Sequence, residues 1–247
     1  MASRRGRIMG HEIRALRAML RLKADLHTHC ADDPCDLIRY SAEILIDAVA
    51  QLNIEVLGIA CHLRVVYNKR LEDYALRRGV LLIPATELHV DGKHVVALNP
   101  DEKQAEAKSF AELRRLGKRD AVLMAPHPFY PARSCLHRKL VENIDLFGAI
   151  EYSSVYLRWI NPNRRAVQAA QRFGLPLIGT SDTHAMPYCS STYSWIEAEE
   201  ASIDGVMEAI RRGRVTIETQ PRPIIHVAQM AVFSARDTFR SFSGLFR

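Results

Sequence analysis

From position 24 onward, short apolar runs rich in Val, Ile and Leu alternate with segments of helical period. Repeated strand–helix units of this kind predict an α/β protein built around a parallel sheet. Strands are predicted at 24–29, 56–61, 80–84, 94–98, 121–126, 148–152, 175–179 and 194–198. Ser41 caps a predicted helix at 41–52, whose stripe of Ile44, Leu45, Ala48, Val49 and Leu52 faces the sheet. Asn161, Pro162 and Gly174 bracket a second helix at 161–173, Gly213 closes a third at 202–212, and Gly117 closes a fourth at 101–116. A chain of 247 residues can bury one sizeable core. One domain is expected at 23–220, between a basic extension at 1–22 and an amphipathic tail at 221–247.

Metal-competent side chains stand where the apolar runs stop. His27 and His29 end the first run, His62 follows the second, Glu87 the third, His127 the fifth, and Asp182 with His184 the seventh. Active sites of parallel barrels lie at the C-terminal strand ends, so these positions are expected to converge. Alternate residues of a strand point the same way, so His27 and His29 can grip one ion. Asp182 and His184 repeat that spacing with a carboxylate and an imidazole. His94 is the exception, because it opens its strand or lies at a hairpin after Asp91-Gly92. His89, His137, His11 and His226 read as structural or exposed.

Composition is that of a soluble globular protein, 48% hydrophobic and 25% charged, and no apolar run approaches the ~20 residues of a membrane-spanning helix. The 5 cysteines are odd in number, lack zinc-finger spacing and follow no apolar signal segment, which fits reduced thiols and a cytoplasmic location. Much of the excess behind the net charge of +6 sits in the first 23 residues, where Glu12 is the sole acid. A solvated helical extension is the expectation there. Contact with a polyanion or membrane surface, or an Arg-rich transit segment, are the alternatives.

Asp-Leu-His-Thr-His at 25–29, Pro-His-Pro at 126–128 and Ser-Asp-Thr-His at 181–184 together resemble the PHP (polymerase and histidinol phosphatase) family, over roughly positions 24–213. The resemblance implies a distorted (β/α)7 barrel with two or three divalent metal ions, zinc, manganese or iron, clustered at the C-terminal ends of its strands. Ala60-Cys61-His62 resembles the family's Thr-Asp-His, keeping the histidine and losing the aspartate. Ala85-Thr86-Glu87 resembles its Gly-x-Glu, whose glutamate bridges two metals, and Ile150-Glu151 resembles a segment whose glutamate supports a ligand. By resemblance, His27, His29, Glu87 and Asp182 hold one metal and Glu87, His94 and His127 a second. His62, His184 and either Asp36 or Cys35 hold a third, unless the loop at 32–36 is inert. A cysteine ligand would favour zinc over manganese.

Three divalent ions would bring +6 against −2 from Glu87 and Asp182, with the imidazoles neutral, leaving a positive cluster suited to an anionic substrate. The expected function is a metal-dependent phosphoesterase that hydrolyses a phosphomonoester or phosphodiester, nucleotides and nucleic acid among them, with a metal-activated water. His184, Asp182 and Glu87 are the expected catalytic residues, and Arg64 and Arg133 are placed by sequence to reach a phosphate. Tyr130 and Tyr188 are candidates for lining the site or stacking on a base. Two other readings stand beside this one: a non-catalytic, metal-braced module, which the lost aspartate at Cys61 favours, and an amidohydrolase-type C–N hydrolase. Nothing in the chain resembles a polymerase domain, so it reads as a stand-alone module.

Overall fold

The computed structural model describes residues 19–222. The first 18 residues of the basic extension, the tail from 223 onward, His11 and His226 lie outside the described residues. A single sheet holds nine strands, β1 (Leu20–Thr28), β2 (Val56–Ile59), β3 (Leu81–Val90), β4 (Lys93–Leu98), β5 (Val122–Ala125), β6 (Ala149–Ser153), β7 (Leu177–Thr180), β8 (Thr192–Ala198) and β9 (Val215–Thr219). Their spatial order is β7-β6-β5-β4-β3-β2-β1-β8-β9. The sheet curls until the segment after β7 reaches β1: Asp182 N donates to His27 O at 2.9 Å and His29 N to Thr183 O at 3.2 Å. The result is a nearly closed, barrel-like sheet with helices outside it, the distorted barrel expected from sequence.

Strands β1, β2 and β3 pair in parallel, as do β5, β6 and β7, but β4 runs antiparallel to both of its neighbours. The cause is local. Asp91 (φ 50°) and Gly92 (φ 71°) form a two-residue turn with both central residues left-handed, which joins adjacent strands as a hairpin. Parallel neighbours would need a crossover of a dozen or more residues. Because β4 runs backwards, its first residues lie at the same end of the barrel as the last residues of the parallel strands. His94 therefore reaches the strand-end face from the start of its strand.

The helices are α1 (Ala42–Gln51), α2 (Lys69–Leu76), α3 (Glu102–Ala105), α4 (Phe110–Leu116), α5 (Arg138–Glu142), α6 (Asn163–Phe173) and α7 (Ile203–Arg211). Ser41 caps α1 as expected and Ser202 caps α7, each accepting a backbone N–H. The stripe of α1 is rotated from expectation: Ala42, Leu45, Ile46 and Val49 are buried, and Ile44 is exposed. The single helix expected at 101–116 is two, because Ser109 caps a fresh start at Phe110 and Asp101 with Gln104 closes a capping box on α3. Sequence reading missed α2, α5 and β9, and β1 begins at Leu20, inside the predicted extension, because Leu20 pairs with Ala198 of β8.

The barrel interior is filled by Leu26, Val56, Ile83, Val96, Met124, Ile178 and Ile196, with α7 closing one end through Val206, Met207 and Ile210. Two outer layers pack α1 with α2, and α4 with α6, against the other face of the sheet. Gly58 lies at the tightest strand approach, where an added Cβ would fall 2.7 Å from the backbone oxygen of Leu26, the residue before His27. Gly58→Ala is therefore expected to lower stability by about 1–3 kcal/mol, seen as an earlier urea midpoint; an unchanged midpoint would contradict this reading of the β1–β2 contact.

Candidate metal centre

His27, His29, Glu87 and Glu151 are almost fully buried together at the strand-end face, an environment that strands ions unless they are mutually compensated. The outward ring nitrogens of the histidine pair are already spoken for. His27 Nδ1 lies 2.7 Å from Glu151 Oε1, and His29 Nδ1 lies 2.8 Å from Asp33 Oδ2. Each carboxylate accepts the Nδ1 proton, which makes Nε2 the nitrogen available to a metal, the arrangement typical of imidazoles that bind metal. The two Nε2 atoms face each other at 3.1 Å.

Carboxylates approach those nitrogens from two directions, Glu87 grouping with the histidine pair and Asp182 with His29 and His184. Glu87 Oε2 lies 3.3 and 3.6 Å from His27 and His29 Nε2, and Asp182 Oδ1 lies 3.6 and 3.5 Å from them. A tetrahedral ion with bonds of 2.0–2.1 Å has ligand–ligand edges of about 3.3 Å. On the other side of the same carboxylate, Glu87 Oε1 lies 2.8 Å from His94 Nδ1 and 3.3 Å from His127 Nε2. Glu87 thus offers one oxygen to each of two donor sets.

The hydrogen-bond inventory tests whether metal fits. Glu87 Oε1, Asp182 Oδ1 and His94 Nδ1 are buried and have no hydrogen-bond partner, although Glu87 Oε1 and His94 Nδ1 are only 2.8 Å apart. Buried polar atoms are seldom left unsatisfied, and these three are metal-competent: Glu87 Oε1 and His94 Nδ1 face each other, and Asp182 Oδ1 faces the Nε2 atoms of His27 and His29. Divalent ions fit this donor set, which combines imidazoles and carboxylates as zinc, manganese or iron sites do.

Backbone geometry helps to aim them. Asp182 (φ 48°) and His127 (φ 27°) hold left-handed conformations that non-glycine residues adopt at a cost, held here by their surroundings. Asp182 is fixed by its N–H on His27 O, and the His127 N–H donates to Glu151 Oε2. Glu151 therefore positions one ligand of each donor set, and Thr180 Oγ1 steadies it with a 2.5 Å hydrogen bond.

The loop after β1 behaves differently from the sequence expectation. Asp33 is its buried member: Oδ1 accepts from the backbone of Cys35 and Asp36, while Oδ2 accepts from His29 and from the N–H of His62. Asp36 Oδ2 lies 3.0 Å from His184 Nε2 and 3.4 Å from His62 Nδ1. His62 presents its other nitrogen to Glu87 Oε2 at 3.1 Å, so His62, Asp36 and His184 do not converge on one point. The groups that do converge here are His29, Asp33, Asp36 and His62, and His29, Asp182 and His184. Cys35 is exposed, and burial with the neighbouring carboxylates pushes its thiol above the usual range.

Other sequence candidates fall into place around this cluster. Arg64 and Arg133 are exposed in the loops after β2 and β5 and form no ion pair among the described residues. Tyr188 is buried and donates to Asp25 Oδ2 at 2.5 Å, which removes it from any stacking role. Cys61 packs with Cys30 in the core under α1, 3.6 Å between sulfurs. His89 has a buried, unpartnered Nε2, its ring stacks on His94 at 4.8 Å and 4°, and with His62 and His94 it forms a further group of metal-competent donors beside the cluster.

Electrostatics record a site short of positive charge. Burial opposes charging His27, yet Glu151, Asp182 and Glu87 hold its pKa well above the usual imidazole value. Burial likewise opposes charge on His184, but Asp36 and Asp182 push it up to about 9. Burial would raise Glu87, and His94, His27 and His62 instead hold it well below the carboxylate range.

Fold and site together define a barrel protein with a cluster of metal-competent side chains at its strand ends. The family model described as PHP-associated matches residues 161–215. A two-domain protein from Bacteroides vulgatus containing a predicted PHP-like metal-dependent phosphoesterase is 20% identical over 89% of this chain and 70% of its own, with a TM-score of 0.66. PsfC from Pseudomonas syringae is 16% identical over 89% of this chain and 99% of its own (TM-score 0.61). The lesion-specific endonuclease EndoQ from Pyrococcus furiosus is 14% identical over 82% of this chain and 60% of its own (TM-score 0.59). At these identities the likeness is one of fold. No curated protein matches the chain. The partial family match and the shared fold support a PHP-family protein.

Ligand imidazoles must be neutral, whereas raised pKa values keep His184 and His27 protonated at pH 7 in the metal-free protein. Metal loading is expected to release protons at pH 7, and the His184 contribution should vanish as pH rises past about 9. Calorimetric titration in buffers of different ionisation enthalpy measures it; loading with no proton release would contradict the electrostatic account.

Proposed function

We propose that the chain is a metal-dependent phosphoesterase, hydrolysing a phosphomonoester or phosphodiester at the strand-end cluster. The observation that carries this reading is Glu87, a buried carboxylate with an oxygen turned to each of two metal-competent donor sets. His27, His29, Glu87 and Asp182 would hold one ion, and Glu87, His94 and His127 a second. A third ion would take His184 with Asp182 and His29, the set that converges on that side of the cluster. Such ions supply Lewis acidity toward a phosphoryl oxygen and bring the pKa of water near 7.

The chain's own residues supply position and charge. Glu151 and Asp33 fix the His27 and His29 tautomers, so both Nε2 atoms face the reaction centre without rearrangement. Burial of His27, His29 and Glu87 keeps bulk water from competing for the donors. His184 is partly exposed at the mouth, its Nε2 3.0 Å from Asp36, and is placed to exchange a proton with a leaving oxygen. Arg64 and Arg133 at the rim would take the non-reacting phosphate oxygens. The PHP-like phosphoesterase and the lesion-specific endonuclease among the structural neighbours support hydrolysis of phosphoesters.

In assays with manganese or zinc, Asp182→Ala and His29→Ala are expected to abolish phosphoester hydrolysis while circular dichroism remains that of the parent. Undiminished turnover in either variant would sink the assignment. In the same assays Arg64→Ala/Arg133→Ala should raise KM for phosphoesters; an unchanged KM, with cleavage of amides instead, would favour C–N chemistry.

A further inference from the structure

The loop after β6 carries the most exposed large apolar side chains among the described residues, Trp159 at 76% and Ile160 at 66%. Trp159 and Ile160 stand side by side there with arginines around them in sequence, and an apolar patch rimmed by polar groups marks an interaction site. Its position is built. Leu157 N donates to Ile160 O at 2.9 Å, pinching the loop so that Arg158 and Trp159 form its tip, and Asn161 anchors the exit through Tyr152 OH at 2.9 Å. The entrance is tied to the metal centre, because Ser154 Oγ donates to Ser181 O at 2.6 Å, one residue before Asp182.

Arginines flank this tip in sequence. Arg158, Arg164 and Arg165 are exposed and none forms an ion pair with an acid among the described residues. The Arg165 guanidinium carbon lies over Phe129, 4.7 Å from the ring centroid, and Phe129 is two residues from His127. Arg133 follows in the same loop after β5. Adjacent strand ends therefore present a tryptophan, a guanidinium stacked on an aromatic ring and three further unpaired arginines beside a phosphoester-type centre.

We infer that this rim docks a single-stranded nucleic acid, with Trp159 stacking on a base and Arg158, Arg164 and Arg165 on the backbone phosphates. The inference deepens the phosphoesterase reading and rests on it for the place where the strand is cut. Bases stack on aromatic and guanidinium faces whatever their sequence, and unpaired arginines neutralise successive phosphates. A lipid surface would be met by apolar side chains projecting together beyond the basic ones, whereas here two apolar side chains stand among four arginines.

The test is fluorescence anisotropy of the metal-loaded full chain with a labelled oligothymidylate of about twelve nucleotides, a length within the usual site sizes. Trp159→Ala is expected to weaken binding roughly tenfold, and Arg158→Ala/Arg164→Ala to weaken it and flatten its salt dependence. Undetectable binding by the parent, or equal binding by Trp159→Ala, would overturn the inference. So would a Trp159 requirement for phosphatidylserine vesicles, or for self-association in sedimentation, in place of the oligonucleotide. Because binding is read without turnover, Trp159-dependent binding by a chain that cleaves no phosphoester would uphold the docking surface and overturn the hydrolase reading. Cleavage of small phosphoesters without oligonucleotide binding would do the reverse.

Discussion

Glu87 is a carboxylate that water cannot reach, surrounded by the rings of His27, His29, His62, His94 and His127. A lone buried carboxylate would be driven to its neutral form, but its histidine neighbours hold it ionised. The imidazoles in turn tolerate burial because Glu151, Asp33 and Asp36 hold their outer nitrogens. The cluster is thus a set of alternating acids and bases with Glu87 at its centre. Protons and divalent ions are the two kinds of cation that can complete it, and the unpartnered oxygens of Glu87 and Asp182 are where an ion would gain most.

That arrangement explains features of the fold that a plain strand–helix repeat would not produce. The Asp91-Gly92 hairpin reverses β4 and so delivers His94 to Glu87 from the head of a strand. The left-handed backbone at Asp182 lets its amide bind His27 O while its carboxylate turns toward His27 and His29. The contact between the segment after β7 and the end of β1 closes the barrel with the same residues that close the site. Closure of the sheet and assembly of the donors are one event.

Much of this was legible in the sequence because strands and ligands share a periodicity. Apolar runs stop where a donor begins, so His27, His29, His62, Glu87, His127 and Asp182 could be placed at one face before any coordinates. The turn chemistry of Asp91-Gly92 even allowed the hairpin that explains His94. Asp33 was not singled out, because the loop offers Asp32, Asp33 and Asp36 within five residues and spacing alone does not say which turns inward. A usable signal was present: an aspartate followed by proline readily accepts the backbone N–H groups two and three residues on, as Asp33 does. The break between α3 and α4 hid behind continuous helical composition, and β9 behind its short, half-polar alternation of Val215, Ile217 and Thr219.

The central claim is that Glu87 is shared between two ions. A crystal structure of the manganese- or zinc-loaded protein, with ions located by anomalous scattering, tests it directly. The account predicts an ion on each oxygen of Glu87, one completed by His27, His29 and Asp182 and the other by His94 and His127. A single ion, or ions bound with Glu87 outside their coordination, would contradict it.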